Sequence, residues 1–209
     1  MKSRRNNLSS ALKNIFDELS EPLWEKIVNL LNYYLQNGFI SYEIIKKLII
    51  NNPKDPLLFL WEKKIFIPQQ SSHGTLEWGD SSLRLKSKET YRMPRITERL
   101  LHSVQETKVW NVDEVIRKMF KQIGDPNYHK MSRLVRKIYY SSNHQLIEGT
   151  KLRNICEKMG IENRIDSIIS ELKGTGIMSP TISCSLFNSL KSRSPKYELN
   201  PLLSKIYEM

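Results

Sequence analysis

Several kinds of residue are scarce in this chain, and each scarcity argues against a class of protein. Only two of its 209 residues are cysteines, Cys156 and Cys184, and they lie far apart. A disulfide framework is therefore not expected, and we expect Cys156 to be a buried thiol. No apolar run reaches the roughly 18 to 20 residues that cross a bilayer. The basic first residues lead into no signal-peptide core, so the sequence predicts a soluble, cytoplasmic protein.

Patterns that carry catalysis or bind metals are also missing. The four histidines have no metal-ligand spacing with one another or with the cysteines: His73, His102, His129 and His144. None of the eight glycines belongs to a phosphate-binding loop, and no Gly-x-Ser-x-Gly nucleophile motif occurs. We expect a non-enzymatic protein with no metal and no cofactor. An enzyme with an unrecognised site is kept as a third alternative.

The chain has an excess of positive charge, and this charge is unevenly distributed along the sequence. The chain is 39% hydrophobic and 26% charged, which is typical of a globular protein, and its net charge is +11. Residues 81–140 alone carry 14 basic and six acidic side chains, whereas residues 1–80 carry ten and nine. A concentrated basic region indicates a polyanionic partner, either nucleic acid or an acidic protein surface.

The chain also contains a repeated order of predicted elements. Each repeat begins with an amphipathic helix, continues through a short strand and two further helices, and ends with an apolar strand and a proline. A polar loop and a tyrosine-containing return strand follow, at Tyr91 and Tyr197. In the first repeat we predict a helix at 23–36, a short connecting strand at 38–40, a helix after Ser41, a helix at 55–63 and a strand at 65–68. In the second we predict a helix at 128–140, a strand at 146–147, a helix after Thr150, a helix at 163–173 and a strand at 177–180.

The best match between the repeats is Leu60 through Pro68 against Leu172 through Pro180, together with the two tyrosine-containing returns. This order resembles the tandem winged-helix architecture, a form of helix-turn-helix, and is similar to that of small uncharacterised archaeal proteins. The resemblance implies a mainly α fold with small β-hairpins (α+β). It also implies either DNA binding, as in transcription regulators and replication initiators, or protein–protein interaction, as in chromosome-condensation and endosomal-sorting subunits.

The predicted organisation is two winged-helix modules joined by a helical connector. Residues 1–94 form an N-terminal helix and the first module, residues 95–125 the connector, and residues 126–209 the second module. The N-terminal helix is predicted at 11–19, with an apolar face that packs on the first module or docks into a partner's groove. The first wing is predicted to contain strands at 75–78 and 83–86, and the last wing spans 183–196.

The third helix of each repeat is poorly suited to reading bases in a DNA groove. Such helices present Arg, Lys, Asn, Gln or Ser to the base edges. Residues 54–63 are nearly all apolar in their middle, and residues 162–171 include Glu162, Asp166 and Glu171. Sequence-specific groove reading is therefore not expected from either helix.

Basic side chains instead concentrate between the third helices. They are candidates for contact with a nucleic-acid backbone, with a solvated helix surface or an acidic protein partner as alternatives. The candidate nucleic-acid-binding residues are Arg84, Lys86, Lys88, Arg117, Lys118, Lys121, Lys130, Arg133, Arg136 and Lys137. The sequence thus predicts binding of nucleic acid, with duplex DNA as the expected partner, and little sequence preference.

A second interpretation assigns the modules to protein–protein assembly, as a homodimer or as a subunit of a larger complex. Phe59 and Trp61 are its candidate partner-binding residues, because the predicted third helix around them is strongly apolar. Trp61 is expected either in the core, which we favour, or as a partner-covered anchor.

Overall fold

The computed structural model describes residues 2–17, 19–69, 78, 82–181 and 194–209, with side chains from residue 7 onwards. Residues 75–77 of the strand predicted at 75–78, and most of the last wing, lie outside these residues. Within them the chain is mainly helical with two small sheets, as the sequence predicts.

The described residues of the first half form five helices and three strands. They are α1 (Lys2–Lys13), α2 (Glu21–Asn37), β1 (Ile40–Ser41), α3 (Tyr42–Leu48), α4 (Lys54–Glu62), β2 (Ile67–Pro68), β3 (Thr90–Arg92) and α5 (Arg95–Thr107). The second half begins with one further helix and then repeats the order of elements that starts at α2. It contains α6 (Val112–Gln122), α7 (Tyr128–Ser141), β4 (Leu146–Glu148), α8 (Gly149–Lys158), α9 (Ile165–Gly174), β5 (Met178–Pro180), β6 (Lys196–Leu199) and α10 (Pro201–Tyr207).

The two sheets have the same topology. Each is antiparallel with its last strand in the middle, in the orders β1-β3-β2 and β4-β6-β5. Ile40 pairs with Tyr91 in the first sheet, and Ile147 pairs with Tyr197 in the second. We call α2 to β3 the first unit and α7 to β6 the second unit; they share one order of helices and strands.

Local sequence signals explain where several helices begin and end. Gly38 ends α2 with φ 76°, a left-handed conformation that glycine adopts without steric cost. Ser41 and Asn111 cap α3 and α6, each accepting a hydrogen bond from a backbone N–H three residues later. These helix ends agree with the sequence-based expectation to within a few residues.

Two apolar cores lie side by side and share α5. Leu101 and Val104 of α5 belong to the core of the first unit, whereas Ile96 and Leu100 belong to the core of the second. The amphipathic helix α6 adds its buried face to the second core. The predicted connector thus packs into both units rather than tethering them.

The N-terminal helix begins and ends earlier than predicted. Helix α1 covers Lys2–Lys13 rather than 11–19. The charged and polar residues at its start show no apolar periodicity, so the sequence pattern does not predict this part of the helix. Its apolar face lies as expected: Leu12 on the helix, and Ile15 and Phe16 just after it, are buried in the first core.

Three other features differ from the prediction or were missed. Residues 83–86 form no strand, whereas the tyrosine-containing return at Tyr91 is the strand β3, as predicted. Tyr91 donates a hydrogen bond to the carbonyl of Arg84 at 2.5 Å, so a side chain rather than a strand ladder holds this segment. Trp78 lies in no strand, although it is 2% exposed. Helix α10, which Asn200 caps, has no counterpart in the predicted elements.

Candidate nucleic-acid interface

Helices α6 and α7 form an antiparallel hairpin that carries seven of the ten candidate basic residues. Arg136 pairs with Asp113 at one end, and the Lys121 amine lies 5.8 Å from the ring centre of Tyr128 at the other. The buried faces of both helices belong to the second core. The basic side chains therefore lie on the outer side of the hairpin, which we call the basic hairpin (112–141).

Two of the three carboxylates of the basic hairpin are paired within it. Glu114 accepts hydrogen bonds from Arg117, the shortest 2.7 Å, and lies 3.4 Å from the Lys118 amine. The Arg117 hydrogen bond is the largest cause of a lowered pKa for Glu114. Asp113 is paired with Arg136. These pairs partly neutralise three of the seven cations, which leaves a smaller effective charge than the sequence count suggests.

The third carboxylate, Asp125, lies in the loop between the two helices and is fully buried. It accepts hydrogen bonds from the backbone N–H of Asn127 at 2.5 Å and from Arg164 at 2.7 Å. Arg164 also binds Glu171 of α9 at 3.0 Å. This ion cluster fixes the loop to the start and the face of α9, and it presents no negative charge to the outer side of the basic hairpin.

Helix α7 carries the cations that remain unpaired. Arg133 and Lys137, one turn apart, have no ion-pair partner among the residues that the structure describes, and Arg133 is exposed. Lys130, one turn earlier, is half-buried and donates a hydrogen bond to the carbonyl of Met159 at 3.3 Å. The unpaired positive charge is therefore centred on Arg133 and Lys137, with Lys121 nearby at the closed end of the hairpin.

The other three candidates belong to the first unit. Arg84, Lys86 and Lys88 are exposed in the segment that precedes β3. In the described part of the chain, no hydrogen bond, ion pair or ring contact joins this segment to the basic hairpin. The structure thus divides the predicted basic region into two groups.

The third helices of the two units present little positive charge, as the sequence indicates. The exposed positions in the body of α4 are Asp55, Leu58 and Glu62, and those of α9 include Asp166, Ser167 and Ser170. Arg164, the one arginine beside α9, is held by Asp125 and Glu171. Neither helix offers an uncommitted arginine or lysine in its middle turns.

The two candidate partner-binding residues are both half-buried. Phe59 packs edge-to-face against Phe16 at 5.2 Å, so the segment after α1 covers part of its ring. Trp61 is not part of the apolar core, against the preference stated above. The Lys64 amine lies 4.7 Å from the centre of its ring, and its indole N–H is buried without a hydrogen-bond partner among the described residues.

The described residues contain no group of three or more His, Cys, Asp or Glu side chains placed to hold a metal ion. No helix among them is both long and apolar enough to span a membrane. Cys156 is buried, as predicted, and burial raises the pKa of its thiol to about 11, a value that disfavours thiolate chemistry at neutral pH.

A model of one protein family matches residues 6–209, nearly the whole chain. The chain belongs to this family. No curated protein and no solved structure matches it significantly.

Proposed function

We propose that the two units are winged helices and that the protein is a non-enzymatic, cytoplasmic nucleic-acid-binding protein, which contacts duplex DNA through the basic hairpin. Supporting the first part, each unit has the order helix, strand, helix, helix, strand, strand, with its last strand central in a three-stranded sheet. This order is the one that the resemblance to winged helices implies.

The observation that carries the second part is the charge of the basic hairpin. Residues 112–141 contain seven basic and three acidic side chains. All three carboxylates are paired, one of them in a buried cluster. Arg133 and Lys137 therefore face solution without a competing carboxylate, and phosphate groups are the ligands that complement them.

We propose that the basic hairpin binds nucleic acid with little sequence preference. Phosphate contacts position a protein on nucleic acid but read no bases. Base reading in the major groove needs uncommitted polar and basic side chains on an inserted helix. Helices α4 and α9 offer mainly acidic, apolar and serine side chains at their exposed positions.

Salt dependence tests this mode of binding. Affinity for short duplexes of unrelated sequence is measured at several salt concentrations by fluorescence anisotropy. We expect the affinities to agree within a few-fold and to fall steeply with salt, because each neutralised phosphate releases counterions. Strong preference for one duplex, or an affinity insensitive to salt, would contradict backbone contact.

A second candidate function is assembly with another protein, and exposed apolar side chains in the first unit favour it. Phe39, Leu48, Ile50 and Leu58 are all at least 40% exposed, and Ile50 reaches 88%. Their replacement by charged residues would leave DNA binding unchanged while abolishing self-association or complex formation. Light scattering with and without Ile50→Glu distinguishes the monomer from a homodimer built on this surface.

A further inference from the structure

A cleft of about 710 Å³ opens where α7 ends, between the last turn of that helix, the turn that follows it and α10. Three tyrosines from two helices line it, Tyr139, Tyr140 and Tyr207, together with His144, Gln145 and Glu208. The cleft adjoins the basic hairpin without being part of the phosphate-binding surface proposed above.

The aromatic rings of the cleft form a contiguous group. The ring centre of Tyr207 lies 5.0 Å from that of Tyr139 and 6.4 Å from that of Tyr140. Tyr139 is buried, and its hydroxyl donates a hydrogen bond to the carbonyl of Asn200 at 2.5 Å. Tyr140 is 71% exposed. An exposed ring supported by a packed aromatic cluster is a suitable surface for stacking a planar ligand.

One residue that lines the cleft has unmet hydrogen-bonding capacity. The Tyr207 hydroxyl is buried and has no hydrogen-bond partner among the described residues. Burial is the main cause that raises the pKa of Tyr207. Buried polar atoms without partners are uncommon, and a ligand group that reaches the Tyr207 hydroxyl would satisfy it.

Backbone strain is concentrated in the turn that lines the cleft. His144 and Gln145 have φ angles of 49° and 64°, in the left-handed region that disfavours residues with a Cβ. Hydrogen bonds between the backbones of Asn143 and Leu146, both 2.9 Å, close this two-residue turn. Glycine or asparagine is usual at such positions. The strained residues both contribute side chains to the cleft, and strain of this kind often marks a ligand site.

The position of Tyr140 connects the cleft to the basic hairpin. It follows Arg136 by four residues and Lys137 by three, so the three side chains share one side of α7. A strand whose phosphates contact Lys137 and Arg133 would carry its next bases towards Tyr140. We propose that this cleft binds an unpaired nucleobase at a strand end or a duplex–single-strand junction. The proposal rests on the proposed function and specifies the form of nucleic acid that the protein prefers.

The test compares a blunt duplex with a duplex that has a short unpaired extension and the same number of phosphates. The parent should bind the extended duplex about tenfold more tightly, because stacking of a base on an aromatic side chain contributes at about this level. Tyr140→Ala should remove this preference and leave affinity for the blunt duplex within about twofold. Tyr140→Phe, which keeps the ring, should retain it. Phe39→Ala, which removes another exposed aromatic ring in the first unit, should also retain it.

A fluorescent adenine analogue in the extension reports the contact locally, since stacking quenches its emission. Quenching by the parent and by Tyr140→Phe, but not by Tyr140→Ala, is the expected result. Equal affinity for both duplexes with no effect of Tyr140→Ala would overturn the cleft assignment while leaving backbone binding intact. Failure to bind either duplex would overturn both proposals. Displacement of the extension by a free mononucleotide alone would assign the cleft to a small ligand and overturn the strand-end assignment.

Discussion

The indole N–H of Trp78 donates a 2.7 Å hydrogen bond to the carboxylate of Glu198, 120 residues further along the chain. The backbone N–H of Trp78 also donates to Ser179 at 3.1 Å. Ser179 and Glu198 are paired across β5 and β6 of the second sheet. A tryptophan that lies between β2 and β3 in the sequence therefore docks on the sheet of the second unit, and this contact restrains the two units relative to each other.

Replacing Trp78 should destabilise the whole chain. Trp78→Ala removes a side chain that is 2% exposed and should lower the free energy of unfolding by about 3–5 kcal/mol. Trp78→Phe keeps most of the apolar contact but leaves Glu198 without its donor, so its effect should be about 1–3 kcal/mol. Chemical denaturation of the three proteins measures both values. Parent-like stability of Trp78→Ala would show that this docking contact is absent in solution.

Gly176 makes a second contact between the halves that a side chain would disrupt. Its φ is 72°, and an added Cβ would lie 2.4 Å from the Cβ of Pro94. Gly160 has a similar φ of 64° but nothing within 4 Å of an added Cβ, so it serves as a control. Gly160→Ala should cost about 1–2 kcal/mol for backbone strain alone. Gly176→Ala should cost clearly more. Equal melting temperatures for the two variants would argue against close packing of Pro94 on Gly176.

Most of the helices and both sheets follow from local signals in the sequence. Gly38, Ser41 and Asn111 end or cap helices by interactions within a few residues, and periodicity locates the amphipathic faces. The prediction of a strand at 83–86 is wrong because Leu83 and Leu85 alternate as in a strand, whereas the Tyr91 hydroxyl holds this segment without strand pairing. Trp78 docks on residues more than 100 positions away, and no local pattern encodes such a contact.

The carboxyl of Glu171 should make stability depend on pH. Burial, followed by the neighbouring carboxyl of Asp125, raises the pKa of Glu171 from 4.5 to about 7. The folded state therefore binds a proton more tightly than the unfolded state. This contribution is fully present below about pH 4.5 and is lost as the pH rises through about 7. The parent should lose on the order of 1–3 kcal/mol of stability over this window.

Glu171→Gln tests the origin of that pH dependence. The amide is neutral at every pH and can still donate to Asp125, so the variant should lack the decline between about pH 5 and about pH 8. Glu157→Gln is the matched control, because Glu157 is exposed on α8 and should leave the decline unchanged. Urea unfolding across this range provides the measurement. A decline of the same size in Glu171→Gln would assign it to other groups.

The buried indole N–H of Trp61 has no hydrogen-bond partner among the described residues. Trp61→Phe removes this unpaired donor and should leave stability within about 0.5 kcal/mol of the parent or raise it. The indole of Trp24 instead donates to Ser9 at 3.0 Å, so Trp24→Phe should cost on the order of 1 kcal/mol. Thermal unfolding compares the two variants. A larger loss for Trp61→Phe than for Trp24→Phe would reveal a partner for the Trp61 nitrogen.

The sequence predicts the position of the candidate site but not its effective charge. Helical spacing places Arg133 and Lys137 on one exposed side of α7, and this holds in the structure. The pairing of Arg136 with Asp113 joins two helices, and the burial of Asp125 with Arg164 depends on tertiary packing. The sequence analysis does not predict the tyrosine cleft, because Tyr207 lies on α10, a helix that no sequence pattern predicted. The consecutive tyrosines at 139 and 140, beside the basic residues of α7, are a signal for it in the sequence.

Duplex binding by a double charge-reversal variant tests the proposed function most directly. Arg133→Glu with Lys137→Glu alters two α7 cations that have no ion-pair partner among the described residues, and it leaves the Arg136–Asp113 pair intact. Lys46→Glu with Lys47→Glu changes the net charge equally on exposed positions of α3. We predict that the first variant weakens binding to every duplex by at least about tenfold and reduces the salt dependence, whereas the second weakens it much less. Equal effects of the two variants would contradict binding through the basic hairpin.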